Sequence, residues 1–126
     1  MYVLIDPSPS DSVRLYIARH DAWEVGDYPL SRTKDFLAAF RSALQGVPLV
    51  NLKGVGVFVG KGRFTSTRVA TTIANVLAFS LQIPVLTCTE PLDQHTKPAE
   101  LFAAEGVRAI RPVYSSAPRI GGVVSV

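Results

Sequence analysis

The chain has little of several things that would narrow its chemistry at once. A single cysteine, Cys88, stands among 126 residues, which excludes a disulfide framework and a cysteine-built zinc site. The two histidines, His20 and His95, are far apart and form no two-histidine helix motif, so a zinc hydrolase is not expected. No apolar run approaches the roughly 18 residues that a membrane-spanning helix needs. No basic leader precedes an apolar core, because Asp6 interrupts the run that ends at Ile5, and no signal peptide is expected. A reducing, cytoplasmic setting fits. There is no Gly-Lys-Ser/Thr phosphate loop, no dinucleotide fingerprint and no Gly-x-Ser-x-Gly nucleophile elbow. Charged residues are only 18% of the chain against 48% hydrophobic, which places it with ordered globular domains.

What is present fits one domain with a modest core. The net charge of +3 is mildly basic and is not by itself a nucleic-acid signature. The cations are scattered, and only Lys61, Arg63 and Arg68 are dense. Tyr2 to Ile5 reads as a buried strand entering a turn at Asp6-Pro7. Val13, Leu15 and Ile17 alternate with more polar neighbours as a second strand, and Ala22 to Val25, ended by Gly26-Asp27, reads as a third. A helix follows, capped by Ser31 or Thr33, with Phe36, Leu37, Phe40, Ala43 and Leu44 at helical spacing and Gly46 as its left-handed cap. Gly54 to Val59 is apolar throughout and suggests a central strand covered on both faces. A second helix runs from Thr65 or Ser66 to about Leu81, then a strand over Pro84 to Thr87, a short helix over Ala99 to Ala104 opened by Pro98, and a last strand over Val107 to Val113. The order strand-strand-strand-helix-strand-helix-strand predicts an α/β layer with a mixed sheet.

The second helix carries two apolar stripes on a wheel of about 100° per residue. Val69, Ile73, Val76 and Leu77 form one, and Ala70, Ala74, Ala78 and Leu81 form the other. The combined arc of about 200° is twice what a one-sided surface helix needs. Either the helix is buried within its own domain, or one stripe faces the sheet and the other a partner chain. The preceding loop, Gly60-Lys61-Gly62-Arg63, joins a strand to a helix N-terminus, where free amides favour anions.

These residues carry a resemblance. Gly60-x-Gly62-x-Phe64-Thr65-x-x-Arg68-Val69 resembles the Gly-Pro-Gly-Ser-Phe-Thr-Gly-x-Arg-Val segment of the TsaB family, also known as YeaZ, of bacterial tRNA threonylcarbamoyladenosine biosynthesis. It continues through Ala74, Leu77, Ala78, Phe79, Leu81, Ile83 and Pro84, and Leu4-Ile5-Asp6-x-Ser8 is similar to the family's opening strand and turn. The match covers roughly residues 1 to 92. Lys61, Arg63 and Ser66 replace the family's proline, serine and glycine, and Ala70 and Val76 replace helix glycines. Lys34 lies near where the family has a histidine. The family carries a second domain of the same fold, so the resemblance implies a one-domain relative: an actin-like, ribonuclease-H-like domain over 1–114 and a tail over 115–126.

The resemblance also implies a function. TsaB is similar to a scaffold that lacks the metal ligands of its catalytic paralogue TsaD and pairs with it, or with itself, through two helices. TsaE joins that assembly, which acts on tRNA. The expected role is therefore a noncatalytic partner protein, with no catalytic residue, metal or cofactor of its own. Its contacts would be Leu37, Phe40, Arg41, Val69, Ala70, Ile73 and Val76. The motif loop would be Gly60, Gly62, Phe64, Thr65 and Arg68. The alternative is a nucleotide-binding or enzymatic half-domain completed by dimerisation, using Asp6, Gly60, Gly62 and Thr65 with ATP or magnesium. A weaker idea is RNA binding through Lys61, Arg63 and Arg68. Against the half-site, the turn Asp6-Pro7-Ser8-Pro9-Ser10 lacks the glycine that lets a backbone approach phosphate closely. An aspartate and serines shaping their own turn is the simpler account. Cys88 reads as an inert, buried thiol.

Overall fold

The computed structural model describes residues 1–9, 11–29, 35–59, 64–89, 92 and 95–110, with 35–37 and 64–66 described by their backbone alone. Five strands form one mixed sheet: β1 (Tyr2–Asp6), β2 (Ser12–Ala18), β3 (Trp23–Pro29), β4 (Gly54–Phe58) and β5 (Val85–Cys88). Three helices accompany it: α1 (Asp35–Ala43), α2 (Phe64–Leu81) and α3 (Pro98–Glu105), with a 3-10 turn at Leu49–Asn51. The spatial order is β3-β2-β1-β4-β5. β1 pairs antiparallel with β2 and parallel with β4, β4 pairs parallel with β5, and β3 closes one edge antiparallel to β2. The mixed α/β sheet is the expected one.

The alternation of side chains divides the core into two layers. Val3 and Ile5 of β1, Val13, Leu15 and Ile17 of β2, and Val55 and Val57 of β4 point to one face. There they meet Ala39, Phe40 and Ala43 of α1 and Ala70, Ala74 and Ala78 of α2. On the other face Leu4 and Leu86 meet Phe102 of α3, with Tyr2, Tyr16, Trp23 and Phe58 at the margin. The Tyr2 and Phe102 rings stack at 5.0 Å between centroids, and Tyr16 and Phe58 meet at 5.2 Å. Such pairs add to the burial of their area.

β4 makes this two-sided packing possible. Its valines fill the α2 face, and its glycines leave room on the other. A methyl group on Gly56 would lie 2.5 Å from Leu4 Cδ2 and 2.7 Å from Leu86 Cδ1. One on Gly54 would lie 2.6 Å from the Phe102 ring. Gly46 is glycine for a different reason: its φ is +80°, and open space surrounds it. It ends α1 after Gln45, itself at φ 51°, with the Val47 N–H donated to the Leu44 carbonyl at 3.0 Å.

Three segments depart from the sequence reading. β3 does not stop at Gly26-Asp27 but runs to Pro29, because β2 offers partners as far as Ser12. Asp27 is held there by Arg14, directly opposite, through Nε–Oδ1 at 2.8 Å and Nη2–Oδ2 at 3.2 Å. That hydrogen bond keeps the Asp27 carboxyl below the usual carboxylate range. The Tyr28 ring lies 3.1 Å from where a Gly26 Cβ would stand, and Pro29 needs no donor at the end of an edge strand. The expected strand over Val107 to Val113 is, within the described residues, a single antiparallel bridge between Val107 and Val85. Asn75 of α2 then captures the chain, accepting the Ile110 N–H at 2.9 Å and donating to the Ile110 carbonyl at 2.8 Å. Helix α2 starts at Phe64, so Thr65 and Ser66 lie inside its first turn and do not cap it. The Ser31 and Thr33 caps, the end of the expected last strand and the tail over 115–126 lie outside the described residues.

The two glycines separate packing from backbone conformation. Gly56→Ala is expected to lower the unfolding free energy by about 1–3 kcal/mol through overpacking. Gly46→Ala should cost about 1–2 kcal/mol through its left-handed backbone alone. Urea unfolding of both variants checks this, and an unchanged midpoint for Gly56→Ala contradicts the packing described here.

Candidate functional site

α2 crosses the sheet over β4 and β5 with its smallest residues inward. Ala70 and Ala74 are fully buried, Ala78 nearly so, and Thr67 and Thr71 share this inner face. Thr71 reads as polar on the helical wheel, yet it is buried. The Thr67 and Thr71 hydroxyls are buried without a hydrogen-bond partner among the described residues, which costs stability. The alanine stripe is therefore the internal one. Val69, Ile73, Leu77 and Leu81 are half-buried at the flank and pack against the core margin.

The outer surface of α2 is apolar at two positions one turn apart. Val76 is 57% exposed and Phe79 is 78% exposed. Phe79 lines a groove of about 470 Å³ together with Gln82, Ile83, Pro84, Arg108 and Val107, itself 51% exposed. Gln82, in a left-handed conformation at φ 55°, donates to the Phe79 carbonyl at 2.7 Å, and the Ile83 N–H reaches the Ala78 carbonyl at 3.0 Å. This wrap-around cap fixes the end of the helix and the base of the Phe79 side chain. Arg68 and Thr72 lie exposed on the same outer face, the Thr72 hydroxyl donating to the Arg68 carbonyl at 2.8 Å.

The expected contact residues fall into distinct places. Val76 is outward, Arg41 is exposed on α1, and Val69 and Ile73 lie at the flank. Phe40, 1% exposed, and Ala70, fully buried, belong to the core of this chain, since each packs under its helix against the sheet. They support an outer face and do not form one. The Leu37, Phe64 and Thr65 side chains and Gly60, Lys61, Gly62 and Arg63 lie outside the described residues. Phe79 is the outward residue that the helical wheel passed over. Its signal was a large aromatic amid Arg68, Thr72 and Asn75, on the side taken as polar.

The other candidates have simple accounts. Asp6 Oδ1 accepts both the Ser8 N–H at 3.0 Å and the Ser8 hydroxyl at 2.6 Å. This is the aspartate-shaped turn expected of these residues. Among the described residues no group of three or more His, Cys, Asp or Glu side chains could hold a metal ion. No helix among them is long and apolar enough to cross a membrane. Burial, with a smaller contribution from Glu105, pushes the Cys88 thiol up to about 11. The thiolate is the reactive form, so at pH 8 Cys88 is expected to react with a maleimide about a hundredfold more slowly than an ordinary thiol, accelerating as pH rises towards 11. Stopped-flow labelling tests this, and a rate matching a free thiol contradicts the burial described.

No protein-family model and no curated protein matches the chain. Solved structures do. One is an uncharacterized protein from Pseudomonas aeruginosa with similarity to peptidase YeaZ, at 25% identity and a TM-score of 0.61. Another is YeaZ from Pseudomonas aeruginosa, at 28% identity and a TM-score of 0.55. Each match covers 71% of this chain and 43% of the other, so the chain spans less than half the length of these relatives. The mixed five-strand sheet and these two likenesses agree, and the chain is similar in fold and in sequence to YeaZ, or TsaB-like, proteins.

Proposed function

We propose that this chain is a noncatalytic partner protein in the formation of threonylcarbamoyladenosine on tRNA, and that it docks on TsaD through the outer face of α2. The observation that carries this reading is the exposed pair Val76 and Phe79 on a helix whose inner face is already closed by alanines. Burying such side chains is worth about 1.5–3 kcal/mol each. Association costs about 4–15 kcal/mol, so the pair anchors an interface and does not complete one. Val69 and Ile73 extend the apolar strip, and Arg41 and Arg68 supply a charged rim.

In the absence of TsaD, the same face pairs two copies of the chain. TsaE joins the assembly, tRNA is met through the assembly as a whole, and the work is cytoplasmic. The chain needs no metal or nucleotide of its own in this scheme. The Asp6 turn agrees, since its inward-bonded carboxylate oxygen is occupied by Ser8.

Sedimentation analysis of the protein alone, and mixed with TsaD from the same source, tests the reading. The expected result is a homodimer that converts to a heterocomplex. Val76→Asp places an unpaired charge in the interface and should weaken both associations by at least about tenfold. Its unfolding midpoint should barely move, because substitutions at exposed sites usually stay within about 0.5 kcal/mol. A monomer that ignores TsaD, or a Val76→Asp protein that associates like the parent, contradicts the proposal.

A further inference from the structure

The sheet register brings Arg19 and Lys53, far apart in the sequence, to one end of the sheet. Tyr2 pairs with Ala18 on one side and with Gly54 on the other. The residues just beyond these pairs are Met1, Arg19 and Lys53, and they stand side by side at the same end of three adjacent strands. A cavity of about 520 Å³ opens there, lined by Met1, Arg19, His20, Lys53 and the apolar Val47 and Val50. Its size is that of a small-molecule site.

The charge in this cavity is unbalanced. Arg19 is committed: Nη1 pairs with Glu24 at 2.8 Å and Nη2 donates to the Ala43 carbonyl at 3.1 Å. Glu24 is the acidic residue that the described ion pairs bring near, and it is used by Arg19. Among the described residues no carboxylate pairs with Lys53, His20 or the Met1 amino group. That amino group donates to the Asn51 carbonyl at 3.2 Å, and burial together with Lys53 holds it below its ordinary value. Like charges held in one concavity repel each other and raise the local concentration of anions.

We propose that this cavity binds a phosphate-bearing small molecule, with Lys53 as its principal charge and His20 as a further donor. Phosphate is favoured over carboxylate by the donors left free. The planar Arg19 fork, which suits a carboxylate bidentately, is already occupied by Glu24 and Ala43. Lys53 is a compact donor of three protons, suited to a tetrahedral oxyanion. Val50, 74% exposed on the rim, and Val47 offer an apolar surface to the rest of the ligand. Pro84 of the docking groove neighbours the start of β4, its carbonyl accepting the Val55 N–H at 3.2 Å, but Lys53 and His20 do not line that groove, so Lys53→Met and Val76→Asp test the two proposals separately.

Titration with inorganic pyrophosphate, followed by amide NMR at constant ionic strength, is the test. Saturable shifts are expected at residues 19–20 and 47–53, with a rise in the thermal midpoint. Lys53→Met should weaken the affinity by at least about tenfold, and His20→Ala should weaken it less. Lys97→Met, an exposed cation at the start of α3, should bind as the parent does. Malonate, a dicarboxylate of similar size, should bind at least about tenfold more weakly than pyrophosphate. Shifts that rise linearly like those of chloride, or a Lys53→Met protein with undiminished affinity, overturn the site. Malonate binding as tightly as pyrophosphate overturns the phosphate assignment.

Discussion

Everything in this fold leans on β4, a strand with side chains on one face and almost none on the other. Val55 and Val57 fill the α2 layer, while Gly54 and Gly56 let Phe102, Leu4 and Leu86 close against the backbone. A central strand pressed from both sides needs apolar neighbours at close range, which explains the fully apolar run of β4. It also explains the alanines of α2, because only small side chains let a helix settle so near a sheet. With the inner face of α2 set by that contact, the helix has one rotation available, and it turns Val76 and Phe79 outward.

Much of this was legible in the sequence. The seven principal elements follow from apolar alternation, helical spacing and the stops at Gly46, Pro48 and Pro84, all of them local signals. The motif from Gly60 to Val69 carried the family resemblance, and the solved relatives bear out the fold it implied. The misses were non-local. Gly26 and Asp27 look like a strand end until β2 is placed beside them with Arg14 opposite. Val107 begins as a strand, but Asn75, more than thirty residues earlier, takes Ile110 before pairing can extend. A helical wheel shows two apolar stripes on α2 but cannot say which faces the sheet. The resemblance places Ala70 and Phe40 among contacts although the core already uses them, and the wheel leaves Phe79 out of both stripes.

The molecule thus presents two surfaces of different chemistry. The outer face of α2 carries Val76 and Phe79 beside Arg68 and Thr72 and borders the groove that Val107 lines. The end of the sheet near Lys53 is cationic and concave. Neither depends on the turn at Asp6, whose carboxylate is spent on shaping the loop after β1. The seat of α2 on β4 decides which of its residues face outward.

Thiol footprinting of α2 tests that seating most directly. Cysteines introduced singly by Val76→Cys, Phe79→Cys, Ala70→Cys and Ala74→Cys would be labelled in the free protein and again with TsaD present, the buried Cys88 contributing a slow background. In protein diluted until it is monomeric, cysteines at 76 and 79 should label rapidly and be shielded once TsaD is added, while those at 70 and 74 stay unlabelled in both. Rapid labelling at 70 or 74 in a folded variant, or positions 76 and 79 labelling equally with and without TsaD, would contradict the account.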